Sequence, residues 1–262
     1  MLRYLRLLEV QLRASLQTSL QYRVEFLVEG ALALFWTGWS LVPLLVVFGS
    51  REQVAGWTFP EALVVMGWFT LVKGVLEGAV NPSLTAVVEH IRKGTLDFVL
   101  LKPADAQFLV STAKFEPWRI VDVLGGLVIF AVAFHRLGRV PTPGSVALGA
   151  VMLGAATVIL YSLWILVVSA AFFVVKIDNL SFLFVSIYDA ARWPASVFRG
   201  ALRFLFTFVV PLAVLTTFPA EALLGRMGPG RAVAVVAGAL AFSFGARVVW
   251  KRSIARYTSA SS

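Results

Sequence analysis

Runs of about twenty apolar residues recur along this 262-residue chain and fix the solvent in which it folds. They fall near residues 26–48, 60–80, 119–134, a run ending near 175, and 231–250, with a longer, interrupted region at 180–224. In lipid every backbone N–H and C=O must be satisfied within the protein, so runs of this length become helices. Composition agrees: 59% of residues are hydrophobic, only 14% are charged and the mean hydropathy is +0.85. A soluble domain carries nearer a quarter charged residues. Six spans of about 20 residues leave room for loops but not for a second globular domain. The expectation is one all-α polytopic membrane domain over residues 1–262.

The net charge of +9 comes from 23 Lys and Arg against 14 Asp and Glu. In a soluble chain that balance would suggest nucleic acid. Here the basic residues flank apolar runs, so the bilayer and its anionic headgroups are the expected partner and nucleic acid is not. With no cysteine, disulfides, thiol catalysis and thiolate metal sites are excluded together. His90 and His135, the two imidazoles, stand far apart in sequence. No Gly-x-x-x-x-Gly-Lys-Ser/Thr phosphate cradle, His-Glu-x-x-His or Gly-x-Ser-x-Gly string occurs. We therefore expect no catalytic residue, no metal ligand and no cofactor bound by this chain. A path whose energy is supplied by another protein is the first reading; a membrane-embedded lipid-modifying enzyme and a motor-free channel or scaffold subunit are the alternatives.

Leu5, Leu8, Leu12, Leu16 and Leu20 recur at helical spacing, with Arg3, Arg6, Arg13, Gln17 and Gln21 on other faces, predicting an interfacial helix over residues 1–25. The first apolar run is too long for a signal-peptide core and has no small-x-small site after it, so it is expected to be retained. Asp189, Arg192, Pro194, Arg199, Arg203, Pro211 and Pro219 interrupt the fifth region. A broken helix followed by re-entrant helices over 196–225 fits that pattern better than straight spans. Placing both termini, the 81–118 loop and the loop at Lys176 together gathers about fourteen of the 23 basic residues, which marks that side as cytoplasmic. Trp36, Trp39, Trp57, Trp68, Trp118 and Trp250 read as interface anchors.

Two sets of residues carry functional expectations. In the 81–118 loop, Val87, Val88 and Ile91 form an apolar strip on a short helix beside Glu89, Arg92 and Lys93; Gly94 is placed to end it, and residues 96–101 return to the membrane before Pro103. This is a docking element for a partner or an interfacial helix lying on lipid, and physics alone leaves both open. Within the spans, Lys73 and Glu77 stand four apart and can pair, as can Asp189 and Arg192 three apart. An unpaired charge at mid-membrane costs roughly 2.5–3.5 kcal/mol, so such residues face protein, a wet cavity or a translocation path. Glu29 and Asp122 lie near span ends, within reach of headgroup water.

The string Ile91-Arg92-Lys93-Gly94-Thr95-Leu96-Asp97-Phe98-Val99-Leu100-Leu101-Lys102-Pro103 resembles the coupling segment of ABC-2 type permeases, the membrane subunits of a class of ABC transporters. Phe206 to Pro211 and Thr216 to Gly225, with Pro211, Pro219 and Glu221, are similar to that family's re-entrant region. The tail Arg256 to Ser262, the early Gln21-Tyr22-Arg23 and the Ile177-to-Leu180 turn also look like it. Thr95, where Glu is usual, and Phe218, where an aliphatic is usual, depart from the pattern. The resemblance implies six transmembrane helices in a prokaryotic cytoplasmic membrane with both termini inside. It implies two permease subunits, identical or related, working as an exporter with separate ATPase subunits that hold ATP and Mg. Glu89, Ile91, Arg92, Lys93, Gly94, Leu96 and Asp97 would then dock on the ATPase, and Lys73, Glu77, Asp189 and Arg192 are candidates for the path.

Overall fold

The computed structural model describes residues 2–173, 186, 188–206 and 210–256, and the fold is almost entirely helical. Helix α1 (Leu2–Gln21) turns at Tyr22 into α2 (Arg23–Ser40) and α3 (Val42–Gly49), which together make the first span. Pro43, in the first turn of α3, lacks an N–H and breaks the rod at Leu41. A two-residue hairpin, β1 (Gln53–Val54) with β2 (Trp57–Thr58), closes over Ala55 and Gly56, both at positive φ as a tight hairpin turn requires.

Thr58 and Glu61 form a capping box that starts α4 (Phe59–Val75). A π-helical turn at Leu76–Val80 joins it to α5 (Asn81–Arg92). The second span does not stop at Val80: one helical rod runs Phe59–Arg92, and the predicted separate helix after residue 81 is its last turns. The reason lies at Pro82. It has no N–H to offer the Gly78 carbonyl four residues back, but the Glu116 N–H donates to that carbonyl at 2.8 Å, so the rod continues. Short helices α6 (Asp97–Leu100) and α7 (Ala106–Ser111) follow. Then come the third span, Pro117–Leu137, built on α8 (Ile120–Leu137), and the fourth, α9 (Pro143–Ala170). The chain continues through α10 (Gly200–Phe204), a π turn at Ala213–Thr217, α11 (Phe218–Leu223) and the last span, α12 (Pro229–Ala255).

Among the described residues five helices are long and apolar enough to cross a membrane. Of the interrupted region expected over 180–224, residues 180–185, 187 and 207–209 lie outside the described residues, as do the Ile177-to-Leu180 turn and the tail beyond Arg256. Residues 213–223 form a helix too short to span, buried against α4 and α9. The core is the second span wrapped by α8, α9 and the 213–223 helix. Small residues let α4 and α8 approach closely: a Cβ on Gly126 would lie 2.9 Å from the Gly67 carbonyl oxygen, and one on Gly67 would strike the Phe130 ring. Trp57, Trp68 and Trp250 are buried, Trp68 against Phe130 of α8, whereas Trp36 and Trp39 are exposed. On α1, Leu5, Leu12, Leu16 and Leu20 are exposed, while Leu8 of the expected stripe is half-buried with Tyr4, Leu7 and Ser15.

Candidate functional site

The span ends sort onto two faces. One carries α1, the end of α5, residues 93–118 and the end of α12; the other carries the hairpin, residues 138–142 and the short helices before α12.

On the first face α5 ends as its sequence demands. Gly94 adopts φ 67°, the Gly94 N–H donates to the Ile91 carbonyl at 3.3 Å and the Thr95 N–H to the His90 carbonyl at 3.0 Å. This pair of bonds closes the helix with glycine in the left-handed position. Thr95, the departure from the family pattern, places its hydroxyl 2.8 Å from His90 Nδ1. Val87 and Val88 are buried, Ile91 is half-buried and Leu96 is fully buried, so these residues anchor the segment. Glu89, Arg92 and Lys93 are exposed, with Lys93 3.3 Å from Glu89; Asp97 is half-buried. Phe98 and Leu101 are 70% and 80% exposed, next to exposed Lys102 and Pro103.

The segment is tied to four elements. The Asp105 carboxylate caps α7 by accepting from the Phe108 N–H at 3.0 Å, and it receives both arms of the Arg247 guanidinium from α12, one at 3.1 Å. Arg247 hydrogen-bonded to it holds the Asp105 carboxyl below the usual carboxylate range, against the opposing effect of burial. The Asp105 N–H donates to Tyr4 Oη on α1 at 3.2 Å, where the Tyr4 and Phe108 rings meet edge-on at 4.8 Å. Gln107 donates to Tyr161 Oη of α9 at 2.9 Å. Ser83 of α5 donates to the Lys114 carbonyl at 2.6 Å and accepts from its N–H at 2.9 Å, while the Phe115 N–H donates to Ser15 Oγ at 3.1 Å. Sequence reading missed this hub. Its one local trace was an Asp before an apolar stretch, the mark of a helix N-cap.

The intramembrane charges are arranged differently from their spacing. Glu77 does not pair with Lys73: it accepts from Asn81 at 3.1 Å and lies 3.7 Å from Arg119, which also reaches Asp122 at 3.2 Å. Asp122 is not washed by headgroup water; its side chain is fully buried and accepts a bond from Thr37 at 3.3 Å. Arg119 stands where the third span begins and reaches both carboxylates, so it outcompetes the helical neighbour. Lys73 makes no ion pair or hydrogen bond among the described residues and is half-buried. Asp189 and Arg192 do pair, at 2.9 Å, with the guanidinium over the Phe69 ring. They stand beside Phe69, part-way along the second span, and among the described residues neither makes an ion pair with Glu77 or Arg119, so the four path candidates do not form one ion-pair network.

The second face is bound together by Trp57 Nε1 donating to Ser196 Oγ at 3.1 Å, the Ala195 N–H to Thr217 Oγ1 at 3.0 Å and Thr216 Oγ1 to the Ala191 carbonyl at 2.7 Å. Glu61 pairs with Arg226 and Glu221 with Arg231. Pro211 is buried, and Pro219 lies inside the 213–223 helix, directly after its π turn. An open cavity of about 560 Å³ lies here among Trp57, Ser196, Arg203, Phe204, Thr217 and Phe218.

These features define a multi-pass α-helical membrane protein with a structured extramembrane segment welded to its spans. The family model described as ABC-2 family transporter protein matches residues 34–261, nearly the whole chain. The protein belongs to that family and is a membrane permease subunit of an ABC transporter. Comparisons with curated proteins and with solved structures gave no match.

Proposed function

We propose that this chain is the translocation subunit of an ATP-driven exporter. Two permease subunits, both this chain or this chain and a relative, line the path, and separate ATPase subunits carrying ATP and Mg dock beside residues 89–102. The membrane is a prokaryotic cytoplasmic membrane, six helices cross it and both termini face the ATPases. The observation that carries the reading is the segment after α5: it offers Glu89, Arg92, Lys93, Phe98 and Leu101 to a partner while Asp105, Gln107 and Ser83 fasten it to the spans. A load applied there reaches α1, α5, α9 and α12 together. Family membership supplies the ATPase, since permeases of this class work with one.

The test is purification of the tagged chain from its own cells in mild detergent, with crosslinking, followed by mass spectrometry of whatever accompanies it stoichiometrically. An ATPase subunit with one or two permease species is the expected result. The chain alone, crosslinked or not, would overturn the proposal and favour a channel or a membrane enzyme.

A further inference from the structure

Along the outside of the molecule α9 and α12 part to leave a groove of about 670 Å³, lined by Gly144, Leu148 and Val151 from one helix and Ala232, Val236 and Leu240 from the other. Its depth comes from residues that put little side chain into it, Gly144, Ala232 and Ala237, while Leu240 and Val151 stand exposed as its walls. From Pro229 to Leu240 the helix rises about 16 Å, close to one leaflet of a hydrocarbon core of about 30 Å. The lining is aliphatic throughout, with no polar side chain to orient a protein partner. A hydrocarbon chain matches both the length and the chemistry.

The mouth of the groove selects the headgroup. Residues 138–142 lead into its Gly144 wall and residues 224–227 into its Met227 end, and Arg139 spans the two by donating to the Leu224 carbonyl at 3.5 Å. Arg226 and Arg231, on the same stretch, are taken by Glu61 and Glu221. Arg139 is exposed and has no carboxylate partner among the described residues, so the mouth carries one guanidinium more than its acids neutralise. A guanidinium at headgroup level recognises phosphate through paired charge-assisted hydrogen bonds.

We propose that this groove is a binding site for an anionic phospholipid, with one acyl chain between α9 and α12 and the phosphate at Arg139. The proposal holds whether or not the chain works with an ATPase. The full-length protein in nanodiscs of equal phosphatidylglycerol and phosphatidylcholine is released into the gas phase, and the retained lipids are weighed by native mass spectrometry. The wild type is expected to keep phosphatidylglycerol over phosphatidylcholine by about tenfold. Arg139→Gln, which leaves the groove intact, should erase that preference while a lipid is still retained. Ala237→Trp, which fills the groove, should lose both lipids, with thermal unfolding confirming that the chain is folded. Equal retention of the two lipids by the wild type, or an unchanged Ala237→Trp variant, would overturn the site. A shift in oligomer mass in Ala237→Trp without lipid loss would overturn it in favour of a second copy of the chain.

Discussion

Asp105 serves three partners at once: its carboxylate caps α7 and takes the Arg247 guanidinium, and its N–H holds Tyr4. Because Arg247 lowers the carboxyl's pKa, the pair's contribution is fully present above the usual carboxylate range, near 3.9, and is lost as pH falls through the lowered value. Both side chains are 36% exposed, so solvent screening holds the pair toward the low end of charge-assisted bonds. Asp105→Asn is expected to cost about 1 kcal/mol at pH 7, and Asp105→Ala, which also removes the cap, about 2 kcal/mol. Thermal unfolding in detergent checks this, and the gap between wild type and Asp105→Asn should narrow as pH falls below the usual carboxylate range and close once pH is below the lowered value. A gap that does not change with pH would mean the carboxylate's charge is not what holds Arg247. At Gly94 the left-handed φ decides: Gly94→Ala is expected to destabilise the segment by about 1–2 kcal/mol, measured as faster amide exchange over residues 90–97. Gly94 was legible because a helix stop is local. The Asp105–Arg247 pair was not, because 142 residues separate its members.

At the scale of elements, apolar length told where helices lie but not where they end or whom they meet. Apolar length ends the second span at Val80, where the polar 81–118 loop begins, whereas the rod runs on to Arg92 with a donor from residue 116 on the Gly78 carbonyl. Spacing likewise offered Glu77 to Lys73, whereas a cation 42 residues away holds it. The closeness of α4 and α8 is equally non-local: Gly67, Gly74 and Gly126 looked like ordinary glycines until their neighbours were placed. Gly126→Ala is expected to push the helices apart and cost about 1–3 kcal/mol, since its Cβ would meet backbone at Gly67 and Leu71. Gly154→Ala, with open space around its Cβ, is the control and should be neutral or slightly stabilising. Equal unfolding midpoints for the two variants would show that α8 can slide without penalty.

For the whole molecule, the first face carries the surface that the proposed function assigns to the ATPase. Residues 89–102 present charge and exposed Phe98 and Leu101 outward, while buried Val87, Val88 and Leu96 and the ties through Ser83, Asp105 and Gln107 prevent the segment from moving alone. Reversing Arg92 and Lys93 together tests this directly. Both lie at an exposed helix end, so Arg92→Glu/Lys93→Glu should insert and fold with stability within about 0.5–1 kcal/mol of wild type. If the segment docks on an ATPase, two like charges now face the wrong way in a contact where such a juxtaposition costs several kcal/mol. The co-purified ATPase should fall by about tenfold or more, or remain bound while its hydrolysis no longer responds to the permease. Asp105→Asn, which loosens the tie without touching the outer surface, should instead keep the ATPase bound and weaken that response. Separate failure of the two variants would show docking and transmission to be carried by different residues of one segment. A charge-reversed chain that recruits and regulates its ATPase normally would remove Arg92 and Lys93 from the docking surface.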